Sequence, residues 1–184
     1  MENKQELNDR QRGLVAISSL TAKGDISGLK TYLNKALDGG LTISEIKEGL
    51  VQLYAYCGFP RSLNAINTFM DVLSERKDKG VNDEPGREAS PVEVGDKYET
   101  GKINLQTLTG IEETGPKKGA IGFAPLIDLF LKEHLFADIF SREVLTFQDR
   151  ELITISTLAT LSGVESQLQA HIGMGMNTGM TEEQ

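Results

Sequence analysis

The chain has 184 residues with 19 basic and 27 acidic side chains, a net charge of −8, and enough apolar residues (39%) to bury the core of one or two small domains. The acidic balance argues against nucleic acid or an anionic membrane as partner, and the lone Cys57 excludes an internal disulfide, a CxxC redox pair and a multi-cysteine zinc site. Two histidines offer little for a metal cage, no run approaches the roughly 18 apolar residues of a membrane span, and residues 1–6 lack the apolar core of an export signal, so a soluble cytoplasmic protein without metal is expected.

Helical periodicity begins early. Asn8-Asp9 offers an N-cap to a helix carrying Leu14, Ile17, Leu20 and Thr21. Ile26, Leu29, Leu33 and Leu37 continue an apolar stripe that Gly39-Gly40 stops. Thr42 and Glu45 have capping-box spacing, ahead of a helix whose buried face is Ile46, Leu50, Leu53 and Tyr54. Gly58-Phe59-Pro60 ends that helix, and Pro60 starts another with the stripe Leu63, Ile66, Asn67, Met70 and Leu73. Residues 77–122 hold eight of the 19 glycines and three of the five prolines, which reads as an inter-repeat linker. Within it, Val92, Val94, Tyr98 and the segment 103–108 could supply local order. Ala124-Pro125 then opens a helix through Ile127, Leu131 and Leu135, followed by amphipathic runs over 148–161 and 164–176. Strand signals are almost absent, so the expected class is all-α, divided as 1–76, 77–122 and 123–184.

The two flanking regions are related to each other. RQRGLVAISSL at 10–20 is similar to DRELITISTL at 149–158: Arg12 meets Arg150, Ile17 meets Ile155, Ser18 meets Ser156 and Leu20 meets Leu158. After a one-residue slip in the following loop, Leu29 meets Leu168, Tyr32 meets His171, and Gly40-Leu41-Thr42 meets Gly179-Met180-Thr181. The first copy goes on through two more helices around the GFP corner, whereas the second reaches only Thr181-Glu182-Glu183-Gln184, giving one and a half repeats. The second copy's apolar faces are then expected to be covered by the first copy or by another subunit.

The segments 150–184 (RELITISTLATL…LQAHIGMGMNTGMTEEQ) and 36–66 (ALDGGLTISEIKEGLVQLYAYCGFPRSLNAI) carry an R-E-L helix, then H-x(7)-G-x-T, then a helix ending in Y-x-G-x-P. In these, and in the lead-in at 123–151, the chain resembles a two-repeat member of the carboxymuconolactone decarboxylase family, which includes the alkylhydroperoxidase D group. The resemblance implies an alkylhydroperoxidase D-like helical bundle that forms homo-oligomers, trimers or hexamers, and works without a cofactor. It also implies one of two activities: decarboxylation of a small carboxylated lactone, or thiol-dependent peroxide reduction. The redox branch needs two cysteines ahead of the histidine, and measured back from His171 those positions hold Val164 and Gln167. Neither can form a thiolate or a disulfide, which favours a decarboxylase-like lyase over a peroxidase.

His171, with a reference pKa of about 6.5, is the expected proton carrier, and Glu151 of the R-E-L helix would orient its ring. The bland alternatives are a hydrogen-bonded core histidine for His171, and for Glu151 a solvent-facing helix carboxylate or one paired with Arg150. Arg150, like Arg12, could bind a substrate carboxylate bidentately. Tyr32 replaces the family histidine in the first copy and could donate a hydrogen bond, while Tyr54, Tyr56, Cys57 and Phe59 at the GFP corner could line a pocket. For Cys57 a small buried thiol is the plainer reading. His134 reads as a surface or interface residue, and Met174, Met176 and Met180 as packing. The expected site is therefore His171 and Glu151 for catalysis, with Arg150, Tyr32, Tyr56 and Cys57 contacting a small-molecule substrate. Two further readings stand beside it: peroxide reduction by Cys57 with an external thiol, and a non-catalytic helical binding or assembly module.

Overall fold

Each repeat starts from a side chain that satisfies the open amides of a helix N-terminus. The computed structural model describes residues 6–90 and 95–184, so Val92, Val94 and the first five residues of the N-terminal reading lie outside the described residues. Helix α1, Asp9–Lys23, is capped by Asn8, which accepts from the Gln11 amide while the Gln11 side chain reaches back. Gly24, at φ 78°, ends it in a conformation that favours glycine. Helix α2, Ile26–Asp38, buries Leu29, Leu33, Ala36 and Leu37, leaving Ile26 exposed. Helix α3, Ile43–Gln52, has the expected Thr42–Glu45 capping box.

Helix α4, Tyr54–Asp78, is broken at Gly58 (φ 83°, ψ 157°), with Pro60 restarting it, so the GFP corner is where the sequence placed it. Its buried face differs from the expected one. Ala65, Phe69 and Val72 enter the core, whereas Leu63 and Met70 are exposed. Both faces of this helix are apolar, and periodicity alone cannot choose between them; packing against α2 and α3 makes the choice. Beyond α4 the chain returns along the start of α3, where the Ile43 and Ser44 amides donate to the carbonyls of Glu84 (3.0 Å) and Pro85 (2.9 Å).

Two compact units result, Met1–Glu88 with Val144–Gln184, and Ala89–Glu143. The first unit holds the repeat. Helix α8, Phe147–Thr160, packs along α1; α2 packs on α1, and α9, Glu165–Asn177, packs on α8. Gly24 and Gly163 have φ 78° and 79°, and Gly40 and Gly179 have φ 94° and 99°, so the loop and the stop of both copies share one backbone conformation. Arg10 joins the two capping boxes, bonding Asp149 at 2.6 Å and Glu45 at 2.7 Å.

The second unit contains much of the expected linker. Residues 97–109 form helix α5, Lys97–Thr109, and are followed by α6, Gly119–Phe123, α7, Pro125–Leu129, and a π-helical segment, Phe130–Ile139. Segment 103–108 is therefore ordered as helix. Gly101 lets α5 lie against the π-helical backbone, since a Cβ there would overlap the Lys132 carbonyl. Within the π-helical segment Lys132, Leu135, Phe136 and Ile139 are buried, so Leu135 of the expected stripe is inside, while Ile127, on α7, is exposed. The described residues are helices, turns and loops without a strand, which is the all-α class. None of their helices is long and apolar enough to cross a membrane.

Candidate functional site

The Thr146–Asp149 capping box fixes the rotational phase of α8, so that Glu151 faces α9 and is completely buried. One hairpin later α9 brings His171 alongside, 8% exposed, with its Nδ1 2.7 Å from Glu151 Oε2. Gly175, one turn beyond His171, permits the approach: a Cβ there would lie 2.9 Å from Met180 Sδ and 3.0 Å from Ile155 Cδ1. Tyr56, in the first turn of α4, meets the His171 ring edge-on at 5.6 Å between centroids. Burial pushes its phenol above the ordinary range; Glu151 pushes the same way, and Thr154 and Arg150 oppose. The pair thus lies on the second repeat and its aromatic neighbour on the first.

A carboxylate that accepts from Nδ1–H fixes the imidazole tautomer and leaves Nε2 as the ring's exchange position. The other Glu151 oxygen, Oε1, is buried without a hydrogen-bond partner among the described residues. Such an atom costs folding energy, and buried groups of this kind concentrate where function requires them.

The remaining expected site residues separate. Arg150 is 0% exposed; its guanidinium bonds Gln52 Oε1 at 2.9 Å and Glu48 Oε2 at 3.4 Å, and Gln52 Nε2 donates to the Arg150 carbonyl (2.9 Å) and Thr154 Oγ1 (3.0 Å). These bonds link α3 to α8 and bury the guanidinium between the two helices. Arg12, its counterpart in the first copy, is largely exposed and pairs with Glu6 at 3.2 Å. Tyr32 is 41% exposed and lines a separate cavity of about 380 Å³ with Arg12, Gly13 and Lys35, whose ammonium lies 4.7 Å from its ring. Cys57 is half-buried and donates to the Leu53 carbonyl at 3.2 Å; burial pushes its thiol up. His134 is exposed beside Asp138 at 3.1 Å. Among the described residues no cluster of three or more His, Cys, Asp or Glu side chains could hold a metal ion.

Sequence reasoning did not single out Glu48, Gln52 and Thr154. The available signal was the spacing of Glu48 and Gln52, four residues apart on a helix whose other neighbours are buried. A further cavity of about 450 Å³ lies among α1, α8, α9 and the final turn, lined by Leu152, Ile155, Ile172 and Met176 but by neither Glu151 nor His171.

A relative with a sequence match is an uncharacterized protein of Methanocaldococcus jannaschii, 25% identical over 71 residues, which are 39% of this chain and 66% of that protein. The chain thus spans just under two thirds of that relative's length. The model of the carboxymuconolactone decarboxylase family matches residues 1–69 and 125–184. Those two segments hold both copies of the repeat, the GFP corner and the Glu151–His171 pair, and the chain therefore belongs to the carboxymuconolactone decarboxylase family.

Proposed function

We propose that the Glu151–His171 pair is an acid–base centre that decarboxylates a small carboxylated lactone or a related enolisable acid without a cofactor. The observation that carries this reading is the 2.7 Å bond between a completely buried carboxylate and a histidine that keeps a small exposed edge. In the proposed step the bond to the departing carboxylate breaks and carbon dioxide leaves. The electron pair is held as an enolate, and His171 delivers the Nε2 proton to carbon. Water then returns a proton to the imidazole. Glu151 acts by stabilising the charged ring before transfer and by holding its tautomer after it. Tyr56 forms one wall of the ring's environment. Turnover of 4-carboxymuconolactone, followed by loss of substrate absorbance and release of carbon dioxide, tests the reading. Activity that disappears in His171→Ala supports it, and full turnover in that variant overturns it.

A further inference from the structure

The unit Ala89–Glu143 has a cavity of its own, and charge rather than carbon fills part of its wall. Asp128 on α7 and Lys132 on the π-helical segment are 2% and 1% exposed and pair at 2.8 Å. Tyr98 donates its hydroxyl to Asp128 Oδ2 at 2.7 Å and accepts from Lys132 at 3.1 Å. Lys117 also pairs with Asp128, and Glu113 accepts from Lys132 at 2.5 Å. Burial alone would raise the Asp128 carboxyl, but the bonds from Lys117, Lys132 and Tyr98 outweigh it and hold it at about 2. The cavity beside this cluster measures about 290 Å³, and its apolar wall includes Leu105, Ile111 and Ile121.

The four charges of the cluster balance, two ammoniums against two carboxylates, and Lys102, also on the cavity wall, pairs separately with Glu99 at 3.6 Å; the four are held unequally. Asp128 and Lys132 are fixed on helical backbone, whereas Glu113 reaches in from the α5–α6 connection and is about one third exposed. Withdrawal of Glu113 leaves Asp128 with two ammoniums, a net positive charge facing an apolar space. A buried charge without its partner is costly, so that space then favours an anion. One monoanion restores neutrality, and a dianion exceeds it. The volume lies at the lower edge of the roughly 300–1,000 Å³ typical of small-molecule sites.

We infer that this cavity binds a small monocarboxylic acid with an apolar body, its carboxylate replacing Glu113 on Lys132. Glu113 is then an internal competitor that occupies the ammonium in the absence of ligand. The site is independent of Glu151 and His171.

The test uses benzoate as the probe and benzamide as its uncharged counterpart, titrated into the full chain and followed by amide NMR and calorimetry. Saturable benzoate binding is expected, with shifts on α5, the connection 110–118 and the π-helical segment, and with benzamide at least about tenfold weaker. Glu113→Gln is expected to tighten benzoate by about threefold or more, because a charged competitor has been removed. Lys132→Met is expected to abolish binding. Since that change strands Asp128, Ile121→Phe provides a second test, filling the cavity without touching the ions and removing binding from a folded protein. The inference is overturned if neither the wild type nor Glu113→Gln binds benzoate saturably. Equal binding of benzamide, weaker binding by Glu113→Gln, or shifts confined to another part of the chain overturn it as well.

Discussion

Glu151 and Gly13 occupy the same place in the two repeats, each the fifth residue after its helix's capping residue, Thr146 in one copy and Asn8 in the other. Their neighbours are exchanged in size. Ala36 faces Gly13, and a Cβ on Gly13 would lie 3.2 Å from the Ala36 Cβ; Glu151 instead faces Gly175. Together with Tyr32 in place of histidine, this gives the first copy packing where the second has a hydrogen-bonded carboxylate–imidazole pair.

That exchange makes the sign of a glycine substitution predictable. Gly→Ala inside a helix ordinarily gains up to about 1 kcal/mol. In Gly13→Ala the new methyl would meet Leu41 Cδ1 at 2.9 Å as well as Ala36, and Ala36 cannot turn aside as a long side chain can. A net loss of about 1 kcal/mol is expected. In a double-mutant cycle by urea unfolding, Ala36→Gly should recover about 1 kcal/mol of that loss as coupling energy. Strict additivity of the two changes would show that the positions do not share one space.

The buried pair should separate stability from turnover. His171→Ala leaves Glu151 fully buried with neither oxygen bonded, a cost of roughly 1–3 kcal/mol. Glu151→Gln removes the buried charge, and its melting temperature should match or exceed the wild type's, as is common when a functional group is replaced by a neutral one. Both variants are expected to lose at least about 100-fold in turnover. A Glu151→Gln protein that melts far below the wild type would make the carboxylate a structural element instead.

Most of the fold could be read from local signals. The three capping boxes and the stops at Gly24, Gly40 and Gly179 are short-range chemistry, and the helices they delimit follow from them. The contact between His171 and Glu151 was legible for a different reason, because the repeat and the family pattern set both apart from an otherwise ordinary amphipathic helix. What stayed hidden depends on contacts between distant segments. Arg150 looks like an available cation until Gln52 and Glu48, about a hundred residues earlier, close over it. The buried face of α4 and the π winding of residues 130–139 were likewise invisible, since each is selected by a neighbour and not by its own period.

Acid should remove one specific stabilising interaction. Burial would raise the Asp149 carboxyl, but Arg10, through its bonds and its charge, and Thr146 outweigh this and lower it. A depressed carboxylate contributes its stability above its unfolded pKa of about 3.9 and loses it as pH falls through the lower folded value. Asp149→Asn should therefore cost about 1–2 kcal/mol at pH 7, combining a weakened capping box with a lost, partly exposed ion pair. The gap between variant and wild type should narrow steadily below about pH 4, as read from urea midpoints. A gap that stays constant down to pH 3 would mean that the charge of Asp149 contributes nothing.

Cys57 should be chemically quiet. Its thiol is pushed up first of all by burial, with Arg61 and the backbone opposing only in part, and it donates to the Leu53 carbonyl. Nucleophilic attack on a peroxide requires the thiolate, and a raised thiol supplies less of it at neutral pH than an ordinary cysteine. Labelling by a disulfide reagent at pH 7 should be at least about tenfold slower in the native protein than in urea, as expected for a thiol both protonated and half-buried. Cys57→Ser should leave lactone turnover unchanged and should alter no peroxide consumption. Rapid native labelling together with a peroxidase activity lost with the thiol would instead favour peroxide reduction by Cys57 with an external thiol. Because peroxide reduction at this position requires an accessible thiolate, slow labelling by itself rules the thiol route out.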